Sequence, residues 1–166
     1  MKLIFGFILF LLTSAVFCQN NVNSSATVKV KLVKSLKIKK VKGDLNFGEV
    51  ILNGTDQNLL KKPDEGIEFV ILGHPHKEAI VTYQPALLFL ENQIDSKSLL
   101  FMPAVFETGD NIDFTSPKSV KSGSTVALEN NNGTGKAFIW VGGKIKVNST
   151  HSEGDYKGTF TISVAY

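Results

Sequence analysis

Gly154 to Tyr166, GDYKGTFTISVAY, alternates strictly: Tyr156, Gly158, Phe160, Ile162, Val164 and Tyr166 share one parity, and Lys157, Thr159, Thr161 and Ser163 share the other. Successive side chains of an extended backbone point to opposite faces, so a period of two marks a half-buried β-strand. One face is apolar and the other carries hydroxyls and lysine. Such a strand is stable only where something pairs with its edges and covers its apolar face. The identity of that partner is the question the rest of the chain has to answer.

The first eighteen residues stand apart. Lys2 supplies a short positive region, and Leu3 to Phe17 is an apolar run of signal-peptide length, too short for a comfortable bilayer span. Cleavage is expected after Cys18, with Val16 and Cys18 at the two recognition positions. That gives a signal peptide over residues 1–18 and a single domain over residues 19–166, with no cysteine left in the mature chain. The 148 remaining residues are enough for one domain with a true core. No second hydrophobic segment is long enough to span a membrane, so no membrane span is expected after cleavage. A secreted domain without disulfides must be held by packing and by its β-ladders. Every basic residue is lysine, which argues against nucleic acid as a partner, because bidentate recognition of bases and phosphates favours the guanidinium fork.

After the polar lead Gln19 to Ser25, Val28, Val30 and Leu32 alternate with Lys29 and Lys31, and Leu36 and Ile38 alternate with Lys37 and Lys39. This reads as one bent strand or two short ones. Seven lysines fall between Lys29 and Lys42 with no acid among them, the composition of an edge strand protected against wrong pairing. Leu45 and Phe47 are expected to point inward, and Lys61 to Gly66 to form a loop around Pro63. Ile67 to Leu72 and Ala79 to Tyr83 read as strands that can form a hairpin across Gly73-His74-Pro75-His76. Residues 85–106 suit either a short helix or buried strands. Thr125 to Leu128 and Lys136 to Val141 read as strands, with Asn130 to Gly135 a loop between them. Phe138 and Trp140 share one face, and Gly142-Gly143 marks a tight turn or bulge before Lys144 to Val147. Many short strands with turn chemistry between them specify an all-β, antiparallel sandwich or barrel.

No catalytic set emerges. The chain lacks a Gly-x-Ser-x-Gly elbow, a phosphate-cradling glycine loop and a His-Glu-x-x-His zinc helix, so it is not expected to be an enzyme and no cofactor is expected. His74 and His76 flank Pro75, with His151 far away in sequence. Two loop histidines fall short of the three or four ligands of a zinc site, so no metal is expected. Asn23, Asn53, Asn132 and Asn148 each open an Asn-x-Ser/Thr triplet.

Ala26 to Lys31, Leu36-Lys37-Ile38, Asp44 to Gly48 (DLNFG), Gly73 to Thr82, Val141-Gly142-Gly143 and Gly154 to Phe160 (GDYKGTF) together resemble the bacterial family catalogued as domain of unknown function 4402. The chain is also similar to the spore coat protein U domain of archaic chaperone–usher pilus subunits. The resemblance implies an immunoglobulin-like antiparallel β-sandwich in the periplasm or at the bacterial cell surface, structural or adhesive rather than enzymatic. It implies self-association or contact with other surface subunits by donor-strand exchange, served by a periplasmic chaperone and an usher. Carried over residue by residue, Val28, Val30 and Leu32 match the donor strand, and Phe160, Ile162, Val164 and Tyr166 match the strand that borders the acceptor groove. The alternative is that the same N-terminal strand folds back into its own sheet. The chain would then be a monomeric extracellular binding module for a glycan or another surface ligand.

Overall fold

Alternation and turn chemistry translate into twelve strands among the described residues, which in this computed structural model are Thr27, residues 29–91 and residues 97–166. The expected signal peptide and Val28 lie outside them. The chain divides into Met1–Lys31 and Leu32–Tyr166, and all twelve strands belong to the second unit. They are β1 (Lys37–Lys42), β2 (Gln57–Lys61), β3 (Ile67–Gly73), β4 (Glu78–Tyr83), β5 (Ala86–Leu90), β6 (Leu99–Glu107), β7 (Lys118–Ser119), β8 (Ser124–Ala127), β9 (Glu129–Asn131), β10 (Thr134–Val147), β11 (Tyr156–Lys157) and β12 (Ile162–Ala165). Every pairing between them is antiparallel. The only helical piece among the described residues is a 3-10 turn at Pro63–Glu65. The protein is all-β.

The larger sheet runs β1-β3-β10-β6-β5-β11 and is built on β10, a strand of fourteen residues. One edge of β10 pairs with β3 from Gly135 to Val141 and with β2 from Gly143 to Val147, while its other edge pairs with β6 and β9. Gly142-Gly143 is therefore neither a tight turn nor a bulge, and the strand passes straight through. What changes there is the neighbour, because the 3-10 turn at Pro63–Glu65 interrupts the edge between β2 and β3. A Cβ on Gly142 would lie 2.3 Å from the Lys61 carbonyl oxygen, and one on Gly66 would lie 2.0 Å from the Val141 oxygen. Only glycine lets the two backbones pass so closely.

The smaller sheet is β12-β4-β8. The expected hairpin of Ile67–Leu72 with Ala79–Tyr83 does not form, since β3 pairs with β1 and β10, and β4 pairs with β12 and β8. The Gly73–Lys77 turn carries the chain from one sheet to the other, which lets both strands bury an apolar face in the space between them. The expected single strand over Gly154–Tyr166 is likewise split. Tyr156 and Lys157 pair with β5 in the larger sheet, and Ile162–Ala165 pair with β4 in the smaller one. The uniform alternation conceals this change of sheet because parity is unaffected by which neighbour a strand meets. Residues 86–90 and 99–107 are strands rather than helix. The Asn130–Gly135 tract is a tight hairpin between β9 and β10, with Asn132 and Gly133 at φ +50° and +75°, the left-handed pair that two-residue hairpins favour.

Ile71, Val81, Val105, Leu128, Ile139 and Val141 form the centre of the main core between the sheets. Beyond the reach of the smaller sheet a second cluster, Ala86, Leu99, Phe101, Ile145 and Val147, is covered by Leu45, Phe47 and Leu52. Phe160 packs against both clusters.

Candidate functional site

β12 pairs with β4 on one edge, and no other described strand pairs with its second edge. Ile162 and Val164 face the main core and are half-buried, whereas Ser163 and Ala165 face out. At the end of the larger sheet, β1 is also unpaired on its outer edge among the described strands. Leu36 and Ile38, at and before β1, pack on the same core cluster as Ile162 and Val164. The two free edges thus approach each other on one side of the molecule, with apolar side chains between them.

The ends of this open side are fixed by specific contacts. The Tyr166 hydroxyl accepts a hydrogen bond from the His74 backbone N–H at 2.7 Å and donates one to the Lys34 carbonyl at 2.8 Å. The Lys77 ammonium sits 4.9 Å from the Tyr166 ring centroid. Lys34 in turn extends its ammonium to the Gly133 carbonyl and to the Thr134 hydroxyl. At the far end of β1, Lys42 forms an ion pair at 3.1 Å with Glu68, whose side chain is only 1% exposed, and lies 5.2 Å from the Trp140 ring centroid. Apart from this ion pair neither Glu68 oxygen accepts a hydrogen bond.

Phe160 lies ahead of β12, in the crossing between sheets. Its ring meets Phe101 edge-on at 5.7 Å and Tyr83 at 6.2 Å. It is partly buried, like Ile162 and Val164, and packs against both core clusters. Burial holds the Tyr83 phenol above its usual range, a rise partly opposed by the hydrogen bond with Ser122. Its hydroxyl donates to the Val120 carbonyl at 2.6 Å. Before β1, Val30 and Leu32 are 82% and 84% exposed and belong to no strand.

Among the described residues no group of three histidine, cysteine or acidic side chains is placed to hold a metal ion. The His151 ring accepts from the Asn148 N–H at 3.1 Å, a local turn contact. A hollow of about 390 Å³ beside β12 is lined by Thr82, Gln84, Pro85, Thr161 and Ser163 among others, without a charged group. Sequence reasoning misses Lys34, Lys42 and Glu68. The one charge in the apolar run Ile67 to Leu72 is a signal that Glu68 needs a partner, whereas nothing local marks Lys34 among so many lysines.

The geometry defines an all-β protein of two antiparallel sheets, each with one edge strand on this side, β1 and β12, whose outer edge is unpaired among the described strands. Residues 96–166, which carry β6 to β12, match the family model described as Domain of unknown function (DUF4402). The GDYKGTF ending lies within the match and the DLNFG segment lies outside it. No curated protein matches the chain. Among the described residues no helix is long and apolar enough to cross a membrane.

Proposed function

We propose that the chain is a secreted surface subunit with an immunoglobulin-like sandwich, related to the spore coat U and archaic pilin domains. In this reading it associates by lending the strand around Val28, Val30 and Leu32 to the open edge of β12 in another copy. The observation that carries the reading is the pairing of an unfilled edge with an unfilled strand. Ile162 and Val164 are half-buried beside an edge that has no partner among the described strands, while Val30 and Leu32 are exposed and belong to no strand. Strand addition satisfies both, with backbone hydrogen bonds supplying affinity and alternate side chains supplying register. Burying three such side chains is worth roughly 5–9 kcal/mol gross at ~1.5–3 each. The ordering cost of association is of the same size, so assembly needs a chaperone to hold the edge and an usher to align the strands.

The test is the replacement of Val30 and Leu32 together by aspartate. The unaltered protein is expected to form heat-sensitive multimers on gels and to lose them in this variant while melting at the same temperature. A protein that stays monomeric at high concentration when unaltered, in the presence of its own periplasmic extract, would exclude strand addition.

A further inference from the structure

The same three residues occur at two turns of the chain, as Asn53-Gly54-Thr55 and as Asn132-Gly133-Thr134. An asparagine followed by glycine lets the next backbone nitrogen approach the side-chain amide carbon, because glycine puts no Cβ in the way. In both turns the asparagine and the glycine are exposed, and a Cβ built on either glycine meets nothing within 4 Å. Local sequence and access to water therefore do not tell the two apart. Their hydrogen bonds do. The Asn53 side-chain oxygen accepts three, from the Thr55 backbone N–H at 3.2 Å, the Thr55 hydroxyl at 2.7 Å and the Gln57 side-chain amide at 3.2 Å. Gln57 is itself held by the Ile51 carbonyl at 2.7 Å, and among the described residues the Gly54 N–H has no acceptor. At the second turn the pattern is reversed. The Gly133 N–H donates to the Asn130 side-chain oxygen at 2.9 Å, and no described group donates to the Asn132 side-chain oxygen.

We infer that Asn53 is a site of spontaneous covalent modification in the folded protein, deamidating through a succinimide well ahead of Asn132. Hydroxide removes the Gly54 amide proton, and the nitrogen attacks Asn53 Cγ. Negative charge develops on Oδ1, where three donors already point, as preorganised donors do in acyl transfer. The Cγ–Nδ2 bond breaks, and the departing nitrogen takes a proton from water and leaves as ammonia. Water then opens the five-membered ring to aspartate or isoaspartate, so the net change is hydrolysis of one amide with nothing oxidised or reduced. At Asn132 the proton of the attacking nitrogen is held by Asn130, and the charge on the oxygen meets no donor. Asn148 is the intermediate case. Its oxygen accepts from the Thr150 N–H at 3.1 Å and the Thr150 hydroxyl at 2.6 Å, but the attacking nitrogen belongs to Ser149, whose Cβ crowds the ring closure. The product carboxylate at position 53 stands in the same turn as Asp56, the partner of Lys146, so the modification adds negative charge at the head of β2.

The test is incubation of the full chain in warm, mildly alkaline buffer, with peptide mapping by mass spectrometry to follow each asparagine. Asn53 is expected to convert at least about tenfold faster than Asn132, a modest share of what preorganised donors are worth in a dry site. Thr55→Val with Gln57→Leu, which removes two donors and keeps the Asn-Gly pair, should slow Asn53 by about the same factor. Asn130→Ala, which frees the Gly133 N–H, should speed up Asn132. In denaturing urea the two identical triplets should convert at similar rates. Equal rates at Asn53 and Asn132 in the folded chain, a rate at either site that its variant leaves unmoved, or a preference for Asn53 that persists in urea would each overturn the assignment.

Discussion

Lys42 and Glu68 offer the sharpest measurement of how β1 is held. Glu68 stands opposite Lys42 on β1 and opposite Trp140 on β10, where the β1–β3 register shifts between Lys40 and Lys42. Its carboxylate is almost fully buried, while the Lys42 side chain is 63% exposed. Replacing Lys42 by methionine keeps the aliphatic stem but leaves a buried carboxylate with no counter-charge. Breaking a fully buried pair costs about 3–5 kcal/mol, and the water around the lysine reduces this to about 2 kcal/mol here. Replacing Glu68 by methionine removes the buried charge and leaves a lysine that water can solvate, so stability should move by under about 1 kcal/mol in either direction. The double variant should then match Glu68→Met alone, a coupling equal to the whole Lys42→Met loss of about 2 kcal/mol.

Urea titrations read this cycle directly, as midpoint shifts at constant slope. On melting curves the Lys42→Met loss corresponds to about 8 °C for a domain of this size. A Lys42→Met midpoint within about 0.5 kcal/mol of the unaltered protein, the ordinary scatter of surface substitutions, would show that the buried carboxylate does not depend on Lys42. The ion pair would then not be what fixes this end of β1 against β3.

Tyr166→Phe deletes the hydroxyl shared by His74 and Lys34, and because both bonds are near solvent the expected loss is about 1 kcal/mol, with faster amide exchange at His74. Amide exchange at His74 that is unchanged would contradict the clasp. Tyr83 gives a pH dependence. Its folded pKa is raised by burial, so the unfolded chain releases the phenolic proton first. The associated stability is complete below the ordinary value of 10.0 and is lost as pH rises through the higher folded value. Tyr83→Phe should therefore show a shallower fall in melting temperature above pH 10 than the unaltered chain, and parallel curves would refute the sign.

The strand character of the chain is legible wherever alternation or an apolar run is long enough, as at Ile67–Leu72, Ala79–Tyr83 and Lys136–Val141. What local pattern does not carry is the partner of each strand. The Gly73–Lys77 turn looks like a hairpin connection, and only the demand that β3 and β4 each bury one face between two sheets separates them. Phe138 and Trp140 share a face, as their spacing indicates, and both are buried. That face, however, points away from the main core and is closed by Phe114, which comes from a polar loop with no apolar periodicity of its own. Glycine at 142 reads as a turn signal, and its actual reason is a neighbouring backbone, from Lys61 to Pro63, far away in sequence. In each case the missing information is a contact between distant segments.

The tether before β1 bears on which copy supplies the added strand. For Val28, Val30 and Leu32 to pair beside their own β1, the chain must reverse between Leu32 and Leu36. Leu36 is already packed on the core, and Lys34 is held by both its carbonyl and its ammonium. The reversal would thus have to be made by Val33, Lys34 and Ser35. Two- and three-residue hairpins need a residue that tolerates positive φ, commonly glycine or asparagine, and a β-branched valine is among the least suited. Reaching β12 directly is no easier, since Tyr166 ties the end of that strand to Lys34 itself. The five residues from Val28 to Leu32 extend to roughly 16 Å, comparable to the free edge of β12 with its flanking residues. In the proposed strand addition a neighbour's edge spares the segment that reversal, and this is the physical ground on which the proposal takes association over self-completion.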